Sequence, residues 1–170
     1  RGELYDANFD PNILKERMKA ENLCFDYNNL RPDDPKRMDI LAQILNAPVA
    51  EGVTVLSPVY FDYGNLTRLG RGVFVNHGCY FMDGGGISIG DNTFIGPFTG
   101  FYYTAAHPTD YVRRNQGLEW AKPIRVGDTW IVSAGDYGRY LGVVQMEQGS
   151  DGAVVLTDYE LIPVNESVEE

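Results

Sequence analysis

The chain has few of the residues that most often mark redox and metal sites. Its 170 residues include two cysteines and two histidines, and Cys24 and Cys79 lack the spacing of a metal cluster. We therefore expect two buried, reduced thiols and no metal. Basic residues are also scarce, with 14 against 24 acidic residues and a formal net charge of −10, which argues against nucleic acid as a partner.

Long apolar runs are absent as well. No stretch of the sequence approaches the length of a membrane span, and the first residues show no basic and then apolar leader. These observations predict a soluble, cytoplasmic protein that does not bind membranes. A chain of this length is large enough for a real hydrophobic core.

A six-residue repeat runs through the middle of the chain. An aliphatic residue opens each hexad, often followed by glycine or asparagine, and a shift of two residues interrupts the run once: Leu69, Val75, Ile89 and Ile95. Hexads of this kind suit short strands and tight corners, with three hexads closing one triangular coil of a parallel β-helix. We predict such strands over residues 53–101 and 123–131, with the four aliphatic residues inside. A glycine-rich antiparallel sheet is the alternative.

Residues 1–50 predict a pair of helices ahead of the repeat. Asp10 before Pro11 and Asp34 before Pro35 are typical helix starts. Apolar residues follow at helical spacing in both segments: Leu14, Met18, Cys24 and Phe25, then Met38, Leu41, Ile44 and Leu45. Such a pair most often covers the open end of a solenoid, and lining a ligand pocket is its second possible role.

His107 lies where the repeat gives way to a polar stretch. A lone histidine on a loop beside a rigid scaffold is a natural general base. Residues 107–122 are too many and too polar for a corner of one coil, so they predict an extended loop.

Taken together and in order, these features resemble the maltose and galactoside O-acetyltransferases. The resemblance covers about residues 1–131 and rests on an ordered set of motifs: Gly2–Ala7, Pro58–Gly64, Asn76, Asp83, Ile89–Asn92, Thr104–Pro108, Pro123–Asp128 and Trp130–Ile131. It implies a mainly β fold, a left-handed parallel β-helix. It also implies a homotrimer with active sites between subunits, and transfer of acetyl from acetyl-CoA to a sugar hydroxyl.

The resemblance assigns roles to individual residues. His107 matches the general base of the family, and Asn76 matches an asparagine that contacts the acceptor. Asp83 and Asp62 are assigned to the sugar acceptor as well, and Trp130 to the pantetheine arm of the cofactor. From position alone, Asn76 can equally be a corner asparagine and Asp83 a turn former. His77 is interpreted as a packing or solvated side chain and not as a second base.

Beyond Ile131 the hexads stop, and residues 132–170 predict a different structure. Alternating residues from Leu141 to Met146, a turn at residues 149–152 and a run from Ala153 to Leu156 predict an antiparallel hairpin, followed by a strand up to Val164. Residues 123–164 also resemble the end of the metallophosphatase domain of nucleotidase-type phosphoesterases, although the tail has no histidine for a metal site. The tail is thus expected to come from a different family, in place of the coils that hold CoA.

Three functions follow from these patterns. The first is an acetyl-CoA-dependent sugar O-acetyltransferase, impaired because its CoA site is incomplete. The second is a non-catalytic β-helix that binds a sugar or assembles with a partner. The third is a phosphoesterase fragment, against which the missing metal ligands count heavily.

Overall fold

The structure is a computed structural model that describes residues 4–102, 105–127, 131–132, 140–148 and 154–163. The chain divides into two compact units, Arg1–Trp130 and Ile131–Glu170. The first unit contains α1 (Pro11–Asn29), α2 (Lys36–Leu45), α3 (Tyr111–Asn115) and twelve strands: β1 (Tyr5–Asp6), β2 (Thr54–Val55), β3 (Val59–Phe61), β4 (Thr67–Leu69), β5 (Phe74–Val75), β6 (Cys79–Phe81), β7 (Ile87–Ile89), β8 (Phe94–Ile95), β9 (Gly100–Phe101), β10 (Ala105–Ala106), β11 (Leu118–Ala121) and β12 (Ile124–Val126). The second unit contains β13 (Ile131–Val132), β14 (Tyr140–Gln148) and β15 (Val154–Pro163).

Short parallel strands wind into triangular coils, as the repeat predicts. Strands β2, β5 and β8 pair in parallel, as do β3, β6 and β9, and as do β4, β7 and β12. Val75, Ile89 and Ile95 are buried in the core, and Leu69 packs against it. The fold is a left-handed parallel β-helix, and the antiparallel alternative for this region is wrong.

Each coil is slightly longer than three hexads. Thr54 pairs with Phe74 and Phe74 with Phe94, so one coil takes 20 residues. The shift of two residues in the repeat falls at the corner between β6 and β7. That corner holds Asp83, whose fully buried carboxylate binds the corner of the preceding coil: Oδ1 accepts from the Tyr63 N–H at 2.8 Å, and Oδ2 accepts from Thr67 Oγ1 at 3.0 Å.

Helix α1 starts at Pro11 as expected but buries a different face. Helix α2 starts at Lys36, with Pro35 as its N-cap in place of the expected Asp34, and buries most of the expected residues. The Asp10 side chain accepts from the Asn12 and Ile13 N–H groups at the start of α1, and Asp34 Oδ1 accepts from the Lys36 N–H. Leu41, Ile44 and Leu45 of α2 are buried, whereas Met38 is exposed. In α1 the buried residues are Ala20, Cys24 and Tyr27, and the expected apolar residues Leu14, Met18 and Phe25 are exposed. The apolar stripe predicted for α1 is therefore wrong apart from Cys24.

Residues 107–122 have more structure than a plain loop. They contain α3 and β11, and β11 pairs antiparallel with both β10 and the N-terminal β1. The excursion from the coil is therefore a small three-stranded sheet.

Two strands of the second unit, β14 and β15, form an antiparallel ladder. β14 pairs with β15 over Tyr140 to Gln148, with a register shift between Gln145 and Met146. The antiparallel prediction for the tail is confirmed on the described residues. The second arm of the expected hairpin and the strand expected after it form one long strand, β15, whose pairing with β14 continues across the register shift.

Candidate active site

A cleft of about 680 Å³ lies in the first unit, a size typical of small-molecule sites. Helix α1, the outer surface of β3 and β6, and the β10–β11 hairpin form its walls. Its lining includes basic and acidic side chains and one imidazole: Arg17, Glu21, Asp62, Glu119 and His107. Two of the residues assigned from the sequence, His107 and Asp62, therefore share one cleft.

The hairpin register places His107 beside a carboxylate. Ala106 pairs with Trp120 in the antiparallel ladder, so the next position brings His107 opposite Glu119. Nε2 of His107 lies 3.3 Å from Oε1 of Glu119. The Glu119 side chain is almost completely buried, while that of His107 is 40% exposed, so the imidazole is reachable and its partner is screened from water.

The other imidazole nitrogen faces a backbone carbonyl. Nδ1 of His107 lies 3.3 Å from the carbonyl oxygen of Leu118. The carbonyl and the Glu119 carboxylate both only accept, so the ring is oriented through both of its nitrogens. The arrangement thus holds a partly exposed imidazole in one orientation at the cleft.

Strand β1 holds the carboxylate in place. Tyr5 pairs directly with Glu119 in the ladder, and its hydroxyl donates to Oε2 at 3.3 Å. Burial and the Glu119 charge raise the pKa of Tyr5, so the phenol stays protonated and remains a donor. Nε of Arg17 donates to the Tyr63 hydroxyl at 3.1 Å, which anchors the guanidinium to the coil.

Asp62 continues the outer face of β3. Its N–H donates to the carbonyl of Phe81, so it still follows the parallel ladder. The Tyr80 hydroxyl donates to its Oδ1 at 2.6 Å. Asp62 is half-buried and lines the cleft, so its remaining lone pairs can accept from a bound hydroxyl.

The other assigned residues lie elsewhere. The described residues that line the cleft do not include Asn76 or Asp83. Asn76 Oδ1 accepts from the His77 N–H, and the Asp83 carboxylate is used inside the coil. Within one chain Asp83 is structural, and its contact with an acceptor stays a prediction. Trp130 lies outside the described residues.

His77 is exposed, and its Nδ1 contacts the carbonyl of Ser57, away from the described residues of the cleft wall. Glu119 is a candidate site residue to which the sequence analysis assigned no role. Its place beside His107 follows from the pairing register of β10 and β11, which is known only once both strands are placed.

The two cysteines are free and buried. Burial raises the pKa of Cys24 to about 11 and also raises that of Cys79, so neither thiol is an activated nucleophile. Among the described residues, no group of three or more His, Cys, Asp or Glu side chains is placed to hold a metal ion. None of the helices within the described ranges is long and apolar enough to cross a bilayer.

Comparisons with known proteins agree on a family. Residues 1–48 match the maltose acetyltransferase hexapeptide capping motif. A protein of Staphylococcus aureus strain Mu50, named as a candidate acetyltransferase, is 43% identical over 159 residues, which cover 91% of this chain and 77% of the relative. A candidate acetyltransferase of Staphylococcus haemolyticus is 52% identical over 125 residues, which cover 73% of this chain and 64% of the relative.

A solved structure gives the same answer. A maltose O-acetyltransferase from Clostridium difficile 630 superposes with a TM-score of 0.67 at 35% identity, covering 74% of this chain and 70% of the other. The expected resemblance of the tail to metallophosphatases is not supported. The Staphylococcus aureus match takes up 91% of the chain and so extends beyond residue 131. The chain belongs to the maltose and galactoside O-acetyltransferase family of hexapeptide-repeat acetyltransferases.

Proposed function

We propose that this protein transfers an acetyl group from acetyl-CoA to a hydroxyl group of a sugar. The observation that carries the proposal is the paired imidazole of His107, whose Nε2 is held 3.3 Å from Glu119 in a cleft that also contains Asp62. An acetyltransferase of this family needs a base for its acceptor, and the cleft supplies a reachable one.

Acetyl-CoA supplies the acetyl group as a thioester. A sugar hydroxyl is a weak nucleophile at neutral pH, so Nε2 of His107 takes its proton as the oxygen attacks the thioester carbonyl. Glu119 stabilises the imidazolium that forms. The imidazolium then returns the proton to the departing sulfur, which leaves as the CoA thiol and restores the neutral base.

The proposed contacts to the acceptor come from Asp62, the carboxylate at the β3 side of the cleft. Asp62 accepts from a sugar hydroxyl and so selects which oxygen faces His107. The contacts assigned to Asn76 and Asp83 by the family resemblance remain proposals. Asn76 is half-exposed within one chain, so a cleft completed by a second copy is the natural place for its contact.

We also propose that three copies of the chain assemble into a homotrimer. Large apolar side chains are exposed on the single chain, including Phe25 beside the cleft and Phe94 on the outer surface of β8. The Phe74 and Phe94 rings lie side by side on this surface, tilted relative to one another, with centroids 6.1 Å apart. Exposed aromatic surface of this kind is typical of surfaces that other chains cover.

The acetyl-CoA site is proposed to be incomplete. A hexapeptide-repeat acetyltransferase from Vibrio cholerae, solved in complex with acetyl-CoA, is 30% identical with a TM-score of 0.63, and the match covers 74% of this chain and 70% of that chain. The described tail is an antiparallel hairpin instead of further coils, and Trp130 is proposed to contact the pantetheine arm. We place the protein in the cytoplasm, a compartment in which two free thiols persist.

The test is acetyl transfer to a panel of neutral sugars that includes maltose. Release of the CoA thiol and a mass increase of one acetyl group on the sugar are the expected results. Sugar binding without acetylated product, at acetyl-CoA concentrations above about 1 mM, would instead favour a non-catalytic binding or assembly protein.

A further inference from the structure

The outer surface of β3, β6 and the residue after β9 carries a column of tyrosines. Buried residues flank Tyr60 and Tyr80 on their strands, so both rings point outward. Tyr60 pairs with Tyr80 in the ladder, and their ring centroids are 6.2 Å apart. The Tyr80 ring lies 5.9 Å from that of Tyr102. Tyr80 is therefore held between two rings.

The Tyr80 hydroxyl points at the carboxylate in the cleft. It donates to Asp62 Oδ1 at 2.6 Å, a length typical of a hydrogen bond to a charged oxygen. Burial, with the hydrogen bond and charge of Asp62, raises the pKa of Tyr80, so the phenol stays protonated and the bond persists across the working pH range.

We propose that Tyr80 is a positioning residue that fixes the rotamer of Asp62 so that its free lone pairs meet the acceptor hydroxyl. Tyr80 occupies Oδ1, and Oδ2 is left for the substrate. A carboxylate at the end of a short strand otherwise rotates, and ordering it costs binding free energy. This inference rests on the proposed acceptor role of Asp62.

Tyr80 should affect binding of the acceptor and not the chemical step. Tyr80→Phe keeps the ring and both ring contacts and removes only the donor. We expect the acceptor KM to rise about tenfold, the scale of one lost hydrogen bond to a charged group, while kcat and the KM for acetyl-CoA change less than about twofold. Tyr102→Phe, which removes a hydroxyl from the same column, is the matched control and should change neither constant.

A double-mutant cycle separates positioning from a structural effect. If Tyr80 works through Asp62, Tyr80→Phe added to Asp62→Asn should raise the KM less than about twofold beyond Asp62→Asn alone. Additive effects, or a KM unchanged in Tyr80→Phe, would overturn the inference.

Maltose titrated into each variant without acetyl-CoA gives the same comparison independently of turnover. A wild-type chain that binds neither maltose nor any other sugar of the panel would overturn the sugar acceptor itself and this inference with it. Equal maltose affinity in the wild type and in Tyr80→Phe would overturn only the role of Tyr80.

Discussion

The buried carboxylate of Glu119 lies beside the partly exposed imidazole of His107. The Glu119 side chain is almost completely buried, and its Oε1 lies 3.3 Å from Nε2 of His107. The strand pairing with Tyr5 and the hydrogen bond from its hydroxyl keep the carboxylate in place. The orientation of the imidazole therefore depends on Glu119 as well as on the hairpin that carries His107.

We expect Glu119→Gln to lower kcat by about 10–100-fold, a smaller loss than removal of the base itself. The amide keeps an acceptor for the Tyr5 hydroxyl but no longer stabilises the imidazolium. Steady-state kinetics with saturating sugar measures the effect. Glu16→Gln, an exposed acid on α1, is the control, and an equal loss in both variants would contradict the role of Glu119.

The buried carboxylate of Asp83 leads to a prediction about how the stability of the fold depends on pH. Burial raises its pKa, although hydrogen bonds from the Tyr63 N–H and Thr67 oppose the shift. Its folded pKa thus lies above the unfolded value of about 4. Stability from this group is fully present below the unfolded pKa and is lost as pH rises through the folded pKa. Asp83→Asn should lack that pH dependence and lie within about 1 kcal/mol of the wild type at neutral pH, because the amide oxygen still accepts from the backbone.

Urea unfolding across the acidic to neutral range measures this difference. Asp91→Asn is the control of opposite sign, because the hydrogen bond from Arg71 lowers the pKa of Asp91, so that its contribution is lost as pH falls. An Asp83→Asn variant that keeps the wild-type pH dependence would contradict the structural role. A variant with unchanged stability and lost sugar binding would favour the acceptor contact.

At the scale of single residues, the sequence assigned His107 and Asp62 through local motifs, and the structure brings both to one cleft. Sequence reasoning assigned no role to Glu119 because the pair depends on the register of the β10–β11 ladder. It could not see the burial of Asp83, since that follows from two corners of successive coils meeting in space.

Among the elements, the helix pair is joined to the coil by one buried cation. Arg37 of α2 donates to the carbonyls of Tyr27 and Val55, each at 3.3 Å, and to Ser57 Oγ at 2.8 Å. Its guanidinium also lies 4.1 Å from the centre of the Tyr27 ring. Helix α1, helix α2 and the first coil thus meet at a single side chain.

We expect Arg37→Met to lower the free energy of unfolding by about 2–4 kcal/mol, since the Tyr27 carbonyl and the Ser57 hydroxyl lose their buried donor and the Val55 carbonyl keeps only the Tyr27 hydroxyl. Chemical denaturation with an unchanged m-value is the measurement. Lys36→Ala, an exposed change one residue away, should have an effect below about 0.5 kcal/mol. A loss below about 1 kcal/mol in Arg37→Met would show that the helices dock without this side chain.

The helices also show where hydrophobic periodicity fails. The pattern in α1 pointed to Leu14, Met18 and Phe25, yet the helix packs through Ala20, Cys24 and Tyr27. Small residues allow close approach, and the Tyr27 hydroxyl donates to the Val55 carbonyl at 2.7 Å. The hexads were more reliable, because a buried aliphatic residue must return at each turn of the coil.

For the whole molecule, we expect acetyl-CoA to bind the isolated chain more weakly than about 1 mM, which corresponds to less than about 4 kcal/mol of binding free energy. The physical reason is that β14 and β15 pair with each other in an antiparallel ladder and form no further triangular coil. Calorimetric titration is the check. Micromolar binding would contradict this expectation and show that the chain holds a cofactor site beyond the described cleft.

The central claim is that His107 acts as the base for acetyl transfer to a sugar. Its most direct test is the rate of maltose acetylation by the wild type, His107→Ala and His77→Ala at acetyl-CoA concentrations well above about 1 mM. We predict a loss of about 10²–10⁴-fold for His107→Ala, the range for a positioned general base, and little change for His77→Ala. Equal rates in the wild type and His107→Ala would contradict the account.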